Sequence, residues 1–122
     1  MLHDLHYDSE TDCIILQVEG KVTIERIQEI ALKVAYMCRA KDCHRILNDM
    51  SNATIDISFM EVYSSPKVMD ESGINTKIKR ALVLPTSYEN AHFLETITRN
   101  RGHSFMVFFD VQNAKQWLLE QY

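Results

Sequence analysis

The sequence predicts an α/β fold in which a small mixed sheet is flanked by helices, in the element order β-β-α-β-α-β-α-β-α. Three observations predict this class. Short β-branched runs alternate with segments of helical periodicity after an opening pair of strands. Hydrophobic residues make up 46% and charged residues 25% of the chain, a mix typical of a globular domain. The three glycines and two prolines all fall at the ends of expected elements.

The length and charge of the chain narrow the classes of function. The 122 residues suit a single domain, which we place over residues 1–122. Lys and Arg number 13 against 17 Asp and Glu, and the net charge of −4 argues against a nucleic-acid partner. No apolar run approaches the roughly 18 residues of a membrane span, and no basic segment precedes an apolar stretch at the N-terminus. We therefore expect no membrane span, no signal peptide and a cytoplasmic protein.

The first third of the chain predicts a hairpin followed by a helix. Residues 2–8 alternate between apolar and polar, and residues 12–19 are rich in β-branched side chains. The polar residues between these runs suit the turn of a hairpin. Gly20 ends the second strand. Thr23 then caps a helix to about residue 40, because the apolar residues that follow recur in steps of three and four.

The remainder of the chain alternates strands with helices. Three runs predict strands, at residues 45–50, 79–84 and 104–109. The middle run is almost continuously apolar, as expected of a strand that is covered on both faces. Residues 51–54 predict a loop. Ser87 caps a helix over residues 88–100, and Asp110 caps the last helix.

The segment between the third and fourth strands predicts a helix in two parts. Ser58 begins it, because Glu61 three residues later completes a capping box. Pro66 interrupts it after residue 63, since proline removes a helical hydrogen bond but suits the first turn of a new helix. A second short part then runs to about residue 71, and Gly73 ends it.

Several short segments resemble a known family. They are VEG at 18–20, VTIE at 22–25, ILNDMS at 46–51, NRG at 100–102, VFFD at 107–110 and AKQWL at 114–118. With them the chain resembles, over nearly its whole length, the SpoIIAA-like branch of the STAS superfamily, whose relatives include anti-sigma-factor antagonists. The resemblance implies a small mixed sheet flanked by helices.

The same resemblance draws attention to one serine. In the antagonists, an Asp-Ser-Ser-Gly-like stretch opens the helix after the third strand, and a partner kinase phosphorylates a serine there. This chain has Asp56, Ile57, Ser58 and Phe59 instead. The resemblance thus makes Ser58 a candidate phosphorylation site, whose added charge at a helix N-terminus would alter partner binding. The alternative is that Ser58 is simply the N-cap of its helix.

Besides Asp56 and Ser58, two further groups are candidate binding residues. Asp49 and Ser51 lie at the C-terminal end of a central strand, where open α/β sheets bind ligands, although such residues also form turns. A second group on the two-part helix suits an apolar pocket or a partner groove, with ordinary core packing as the alternative. It consists of Met60, Tyr63, Val68 and Met69.

These features favour a non-enzymatic binding or regulatory module that docks a protein partner through residues 51–71. The alternative is a carrier or sensor of a small, lipid-like apolar ligand behind the broken helix. The resemblance implies an apolar ligand as well, because the SpoIIAA-like branch is sometimes compared with CRAL-TRIO lipid-binding domains. No catalytic constellation, cofactor motif or metal-ligand spacing is recognised, yet an enzyme stays open. A homodimer through sheet edges or helix faces is also left open.

Overall fold

The computed structural model describes residues 3–120 and confirms that strands and helices alternate. The strands are β1 (His3–Asp8), β2 (Cys13–Val18), β3 (Gly20–Val22), β4 (Arg45–Asp49), β5 (Ala53–Ile55), β6 (Lys79–Val83) and β7 (Ser104–Phe108). The helices are α1 (Ile24–Lys41), α2 (Phe59–Ser72), α3 (Ala91–Asn100) and α4 (Val111–Leu119). Leu2, which the sequence assigns to the first strand, lies outside the described residues.

Five strands form the main sheet in the order β1-β2-β4-β6-β7. β1 and β2 make the predicted antiparallel hairpin, in which Asp8 pairs with Cys13. β2, β4, β6 and β7 run parallel to one another. A helix joins each consecutive pair of these parallel strands, which is the usual crossover connection. The mixed sheet with flanking helices confirms the predicted fold class.

Helices cover both faces of the main sheet. On one face α1, α2 and α3 pack on a large apolar core that includes Ile46 and Leu82. On the other face α4 packs on a smaller core through Ala114 and Leu118. Because side chains alternate along a strand, the even-numbered residues of β4 and β6 face α1, α2 and α3. The odd-numbered residues face α4.

β3 and β5 form a second, two-stranded parallel sheet. Gly20 has a φ of 80°, a left-handed conformation that glycine adopts without strain, and it leads the chain from β2 into β3. The carbonyl of Val22 then accepts a hydrogen bond from the Asp56 N–H. The loop predicted at residues 51–54 is therefore wrong for Ala53 and Thr54, because a three-residue strand is too short to show a period-2 pattern.

α2 is one continuous helix, so the predicted interruption at Pro66 is wrong. Proline has no N–H, which leaves the carbonyl of Val62 without its usual partner four residues on. The Ser65 hydroxyl donates to that carbonyl at 2.8 Å instead. Pro66 itself is buried against the core. Gly73, with a φ of 98°, ends the helix as predicted.

α3 begins at Ala91, later than the sequence predicts. The N–H of Tyr88 donates to the carbonyl of Pro85, so the residues before the helix form a separate turn. Asn90 takes the N-cap position, and its side chain makes no capping hydrogen bond. The prediction that Ser87 caps this helix is therefore wrong.

β7 lies at one edge of the main sheet, opposite β1. The N–H of Val107 donates to the Glu95 carboxylate oxygen Oε2 at 2.7 Å. Glu95 belongs to α3, so a side chain of the neighbouring helix supplies a partner that another strand would otherwise provide.

Candidate functional site

The N-terminus of α2 carries a complete capping box. The Glu61 N–H donates to Ser58 Oγ at 3.2 Å, and the Ser58 N–H donates to Glu61 Oε1 at 2.9 Å. The predicted capping box is thus confirmed. Ser58 is exposed, so its hydroxyl both caps the helix and lies at the surface.

Three large apolar side chains follow the cap and lie in solvent. Phe59 is 53% exposed, Met60 is 72% exposed and Tyr63 is 67% exposed. The helical period of 3.6 residues places them on one outer face, which we call the α2 patch. The Phe59 ring stacks on the ring of Phe93 from α3, with 4.4 Å between centroids. This contact holds one end of the patch against the neighbouring helix.

The opposite face of α2 is buried against the core. Val62, Pro66 and Met69 recur there in steps of four and three, as one face of an unbroken helix requires. Met60 and Tyr63 point the other way, and Val68 is half-buried. Of the four residues that the sequence assigns to one pocket, only Met69 lines the cavities described next. The reason is that a continuous helix separates residues that a break would have allowed to converge.

Two adjoining cavities lie between the main sheet and the layer of α1, α2 and α3. Their volumes are about 50 and 90 Å³. Both are mostly apolar, and five residues line both of them, namely Ile46, Asn48, Met50, Met69 and Arg80. The sequence predicts a pocket lined by Met60, Tyr63, Val68 and Met69, whereas these cavities share only Met69 with that set. Two members of the shared wall, Asn48 and Arg80, are polar.

Arg80 is the most unusual side chain of these cavities. It is 9% exposed, and its Nε and Nη2 have no hydrogen-bond partner among the described residues. The guanidinium lies 4.9 Å from the centroid of the Phe105 ring, a cation–π contact. Burial lowers the pKa of Arg80 to about 10, so the side chain stays positively charged at neutral pH.

Asn48 lies next to Arg80 on the same face of the sheet. Asn48 pairs with Leu82 across β4 and β6, and Arg80 is two residues before Leu82. The Oδ1 of Asn48 is buried and also has no hydrogen-bond partner among the described residues. Both residues are polar and lie in segments that the sequence predicts as strands, so their polar character is the sequence feature that could have identified them. The almost continuously apolar run 79–84 predicts a covered strand, but that pattern does not give a role to Arg80.

A polar cluster borders Arg80 on the side of α2. Asp70 accepts hydrogen bonds from Arg101 Nη2 at 2.8 Å and from His103 Nε2 at 2.9 Å. Because a carboxylate only accepts, His103 carries its proton on Nε2. Burial, together with the Arg80 charge, lowers the pKa of His103 below its usual value, although Asp70 opposes this. Asp70 is thus already engaged by two donors.

The other sequence-predicted site residues lie apart from the cavities. Asp49 Oδ1 accepts from the Ser51 N–H at 3.0 Å and from the Ser51 hydroxyl at 2.7 Å. This pair therefore forms the turn that the sequence offers as the alternative. Asp56 is exposed and pairs with Lys21 at 3.3 Å beside the small sheet.

The cysteines and the metal-ligating side chains of the described residues provide no further candidate site. Cys13, Cys38 and Cys43 are buried and unpaired, and burial raises the pKa of Cys38 to about 11, which disfavours the reactive thiolate. Within residues 3–120, no three His, Cys, Asp or Glu side chains converge as a metal site would require. No helix in that range combines the length and apolar character needed to cross a bilayer.

The fold is similar to those of solved structures. One is the anti-sigma factor antagonist SpoIIAA in its unphosphorylated form, with a TM-score of 0.56 and 8% identity over 95% of this chain and 96% of that chain. Another is a DUF3478-family protein from Shewanella loihica PV-4, with a TM-score of 0.56 and 18% identity over 95% of this chain and 93% of that one. No protein-family model and no curated protein matches the sequence. The chain has a SpoIIAA-like fold, as its sequence resemblance predicts.

Proposed function

We propose that this protein is a cytoplasmic, non-enzymatic binding module that docks a protein partner through the α2 patch. The observation that carries the proposal is the exposure of Phe59, Met60 and Tyr63 on one face of one helix. Complete burial of an apolar side chain such as Phe or Met contributes roughly 1.5–3 kcal/mol, and an interface would bury the part of Phe59 and Met60 that is still exposed. Aromatic residues and methionine are also enriched in protein interfaces, whereas isolated exposed apolar residues carry no such meaning.

The comparison with SpoIIAA supports a docking role. That protein is described as an anti-sigma factor antagonist, a description that itself refers to a second protein. The likeness concerns the fold, so we carry over the kind of activity and leave the identity of the partner open. The predicted docking segment, residues 51–71, contains the whole α2 patch.

Ser58 offers a means to regulate this docking, and we extend the proposal to its phosphorylation. Ser58 is exposed and is the residue directly before Phe59 in the sequence. A phosphate there would bring negative charge next to the Glu61 carboxylate, whose Oε1 lies 2.9 Å from the Ser58 nitrogen. Like-charge repulsion would open the capping box and displace the first turn of α2. We therefore expect phosphorylation to weaken docking.

Affinity purification from the protein's own host, with matched variants, tests the docking proposal. Met60→Lys places a charge in the α2 patch, whereas Leu32→Lys makes the same change at an exposed apolar residue of α1. We expect one protein to co-purify in stoichiometric amount with the wild type and with Leu32→Lys, but not with Met60→Lys. The purified pair should then bind at least about tenfold more weakly after Met60→Lys. A partner that is retained by all three forms, or no stoichiometric partner, contradicts the proposal.

The cavities behind α2 favour a second candidate function, which is a carrier or sensor of a small apolar ligand. They are lined mainly by aliphatic side chains, as a site for an apolar ligand requires. Native mass spectrometry of protein purified gently from its host tests this candidate. An added mass of a small organic molecule supports it, and the mass of the bare chain contradicts it. The same spectra report a homodimer, which stays a prediction, as a doubled mass.

A further inference from the structure

We infer that the cavities between the main sheet and α2 form a site for a short-chain carboxylate, whose charged group binds Arg80. The inference deepens the second candidate function and rests on it. It concerns neither the α2 patch nor Ser58. It begins from two buried polar side chains, Arg80 and Asn48, that line both cavities and lack partners for named atoms.

The geometry of the free donors selects the head group. Nε and Nη2 are the two nitrogens on one edge of a guanidinium, and their N–H bonds point in nearly the same direction. That edge matches the two oxygens of a carboxylate in a bidentate pair. Buried hydrogen-bonding groups are almost always satisfied, so an edge with both donors free indicates a missing partner.

The local charge selects a monoanion. Arg80 is a buried cation with no hydrogen bond or ion pair to a carboxylate among the described residues. The nearby Asp70 already accepts from Arg101 and His103. One negative charge would neutralise Arg80, whereas a doubly charged phosphate would leave an excess negative charge in an apolar wall.

The size and lining of the cavities select the rest of the ligand. A water-sized group needs about 10–15 Å³ of such space, so the larger cavity of about 90 Å³ holds on the order of six to nine non-hydrogen atoms. The wall of this cavity includes the apolar side chains of Leu82, Leu94 and Phe105, which would pack against an alkyl chain. Asn48 Oδ1 is an acceptor, so a hydroxyl group beside the carboxylate would satisfy it. The ligand class is therefore a carboxylate of about four to six carbons, preferably with a hydroxyl group.

Isothermal titration calorimetry of the wild-type chain at pH 7 tests the inference. The probes are 2-hydroxyhexanoate, hexanoate, 1-hexanol, dodecanoate and inorganic phosphate. We expect binding to weaken from 2-hydroxyhexanoate to hexanoate and by a further factor of roughly ten or more to 1-hexanol. Dodecanoate and phosphate should give no binding, because dodecanoate is too long for the cavity and phosphate has no alkyl chain to fill its apolar part.

Matched variants assign the recognition to Arg80. Arg80→Met removes the charge in the cavity, and Arg99→Met removes the same charge from an exposed position of α3. We expect hexanoate to bind roughly 10- to 100-fold more weakly to Arg80→Met and unchanged to Arg99→Met. Equal affinity for hexanoate and 1-hexanol, or unchanged hexanoate binding after Arg80→Met, overturns the inference but leaves an apolar carrier standing. Binding of none of the organic probes overturns both.

Discussion

The Ser65 hydroxyl donates a hydrogen bond of 2.8 Å to the carbonyl of Val62, the acceptor that Pro66 cannot serve. A proline inside a helix commonly costs about 3 kcal/mol, partly through this orphaned carbonyl. Here the preceding residue supplies the donor from its side chain. As a result α2 continues to Ser72, with Val62 and Met69 inward and Met60 outward. This hydrogen bond thus supports the unbroken helix that brings Met69 to the cavities and leaves Met60 in solvent.

Replacement of Ser65 by alanine should destabilise the protein. The change leaves the buried Val62 carbonyl without a donor, which we expect to lower the free energy of unfolding by about 1–2 kcal/mol. Urea denaturation followed by circular dichroism measures the effect. Ser64→Ala is the control, because Ser64 makes a similar bond to Glu61 on the exposed side of the helix. A midpoint for Ser65→Ala equal to that of the control would contradict the role of Ser65.

Loss of the N-cap should destabilise α2 from its start. Ser58→Ala removes the acceptor of the Glu61 N–H, and we expect a loss of about 1 kcal/mol in the free energy of unfolding. Ser58→Asn keeps a side-chain acceptor and should remain within about 0.5 kcal/mol of the wild type. Thermal denaturation of the three forms provides the comparison. If the alanine and asparagine variants melt together below the wild type, the capping explanation fails.

Removal of the buried charge of Arg80 should stabilise the ligand-free protein. Burial lowers the pKa of Arg80 to about 10, which corresponds to roughly 3 kcal/mol of unfavourable charge burial. Arg80→Met removes that cost but also the contact with Phe105, so we expect a net gain of about 1–2 kcal/mol. Urea denaturation measures this gain, and Arg99→Met should change little. A less stable Arg80→Met would show that the guanidinium is satisfied within the fold.

The stability of the protein should fall on acidification through the range below pH 6.5. Burial and Arg80 lower the pKa of His103, against the opposing effect of Asp70, while Arg101 also adds positive charge nearby. The unfolded chain therefore binds a proton from about pH 6.5 downwards that the folded chain binds only at lower pH. The stabilisation is fully present above pH 6.5, and each pH unit within the window removes at most about 1.4 kcal/mol.

Histidine variants isolate this contribution. Urea midpoints between pH 7.5 and pH 5 should fall for the wild type and for a variant of the exposed His92, His92→Gln. His103→Gln should flatten the dependence, because the titrating group is gone. An unchanged slope in His103→Gln would assign the pH dependence to other residues.

Much of the fold followed from local sequence patterns. The hairpin of β1 and β2, the parallel strands and the Ser58 capping box depend on residues that are close in sequence or on runs of five or more. β3 and β5 have three residues each, and their pairing joins Gly20 to Ala53, a contact that no local pattern carries. In the continuous α2 a side-chain hydrogen bond from Ser65 reaches the carbonyl that Pro66 cannot serve, whereas the proline rule considers the backbone alone.

The candidate site was less predictable than the fold. Met60 and Tyr63 are exposed because they lie on the outer face of a continuous helix. A helix broken in the middle, as the sequence predicts, does not define that face. The proximity of Arg80 and Asn48 in the wall of both cavities depends on the register between β4 and β6, which pairs Asn48 with Leu82. That register arises from tertiary packing, so the sequence alone offered only the hint of a charge inside a buried strand.

The hydrogen bond from Val107 to Glu95 has a consequence for self-association through strands. Successive copies can pair edge to edge without limit only if each copy offers an unpaired strand at both edges of its sheet. At the β7 edge, an incoming strand would have to displace a carboxylate of the same chain from the Val107 N–H. The β1 edge is then the easier side for strand pairing, and two copies joined there would hide both of their easier edges. Such pairing would end at a closed pair and would not propagate into a fibre.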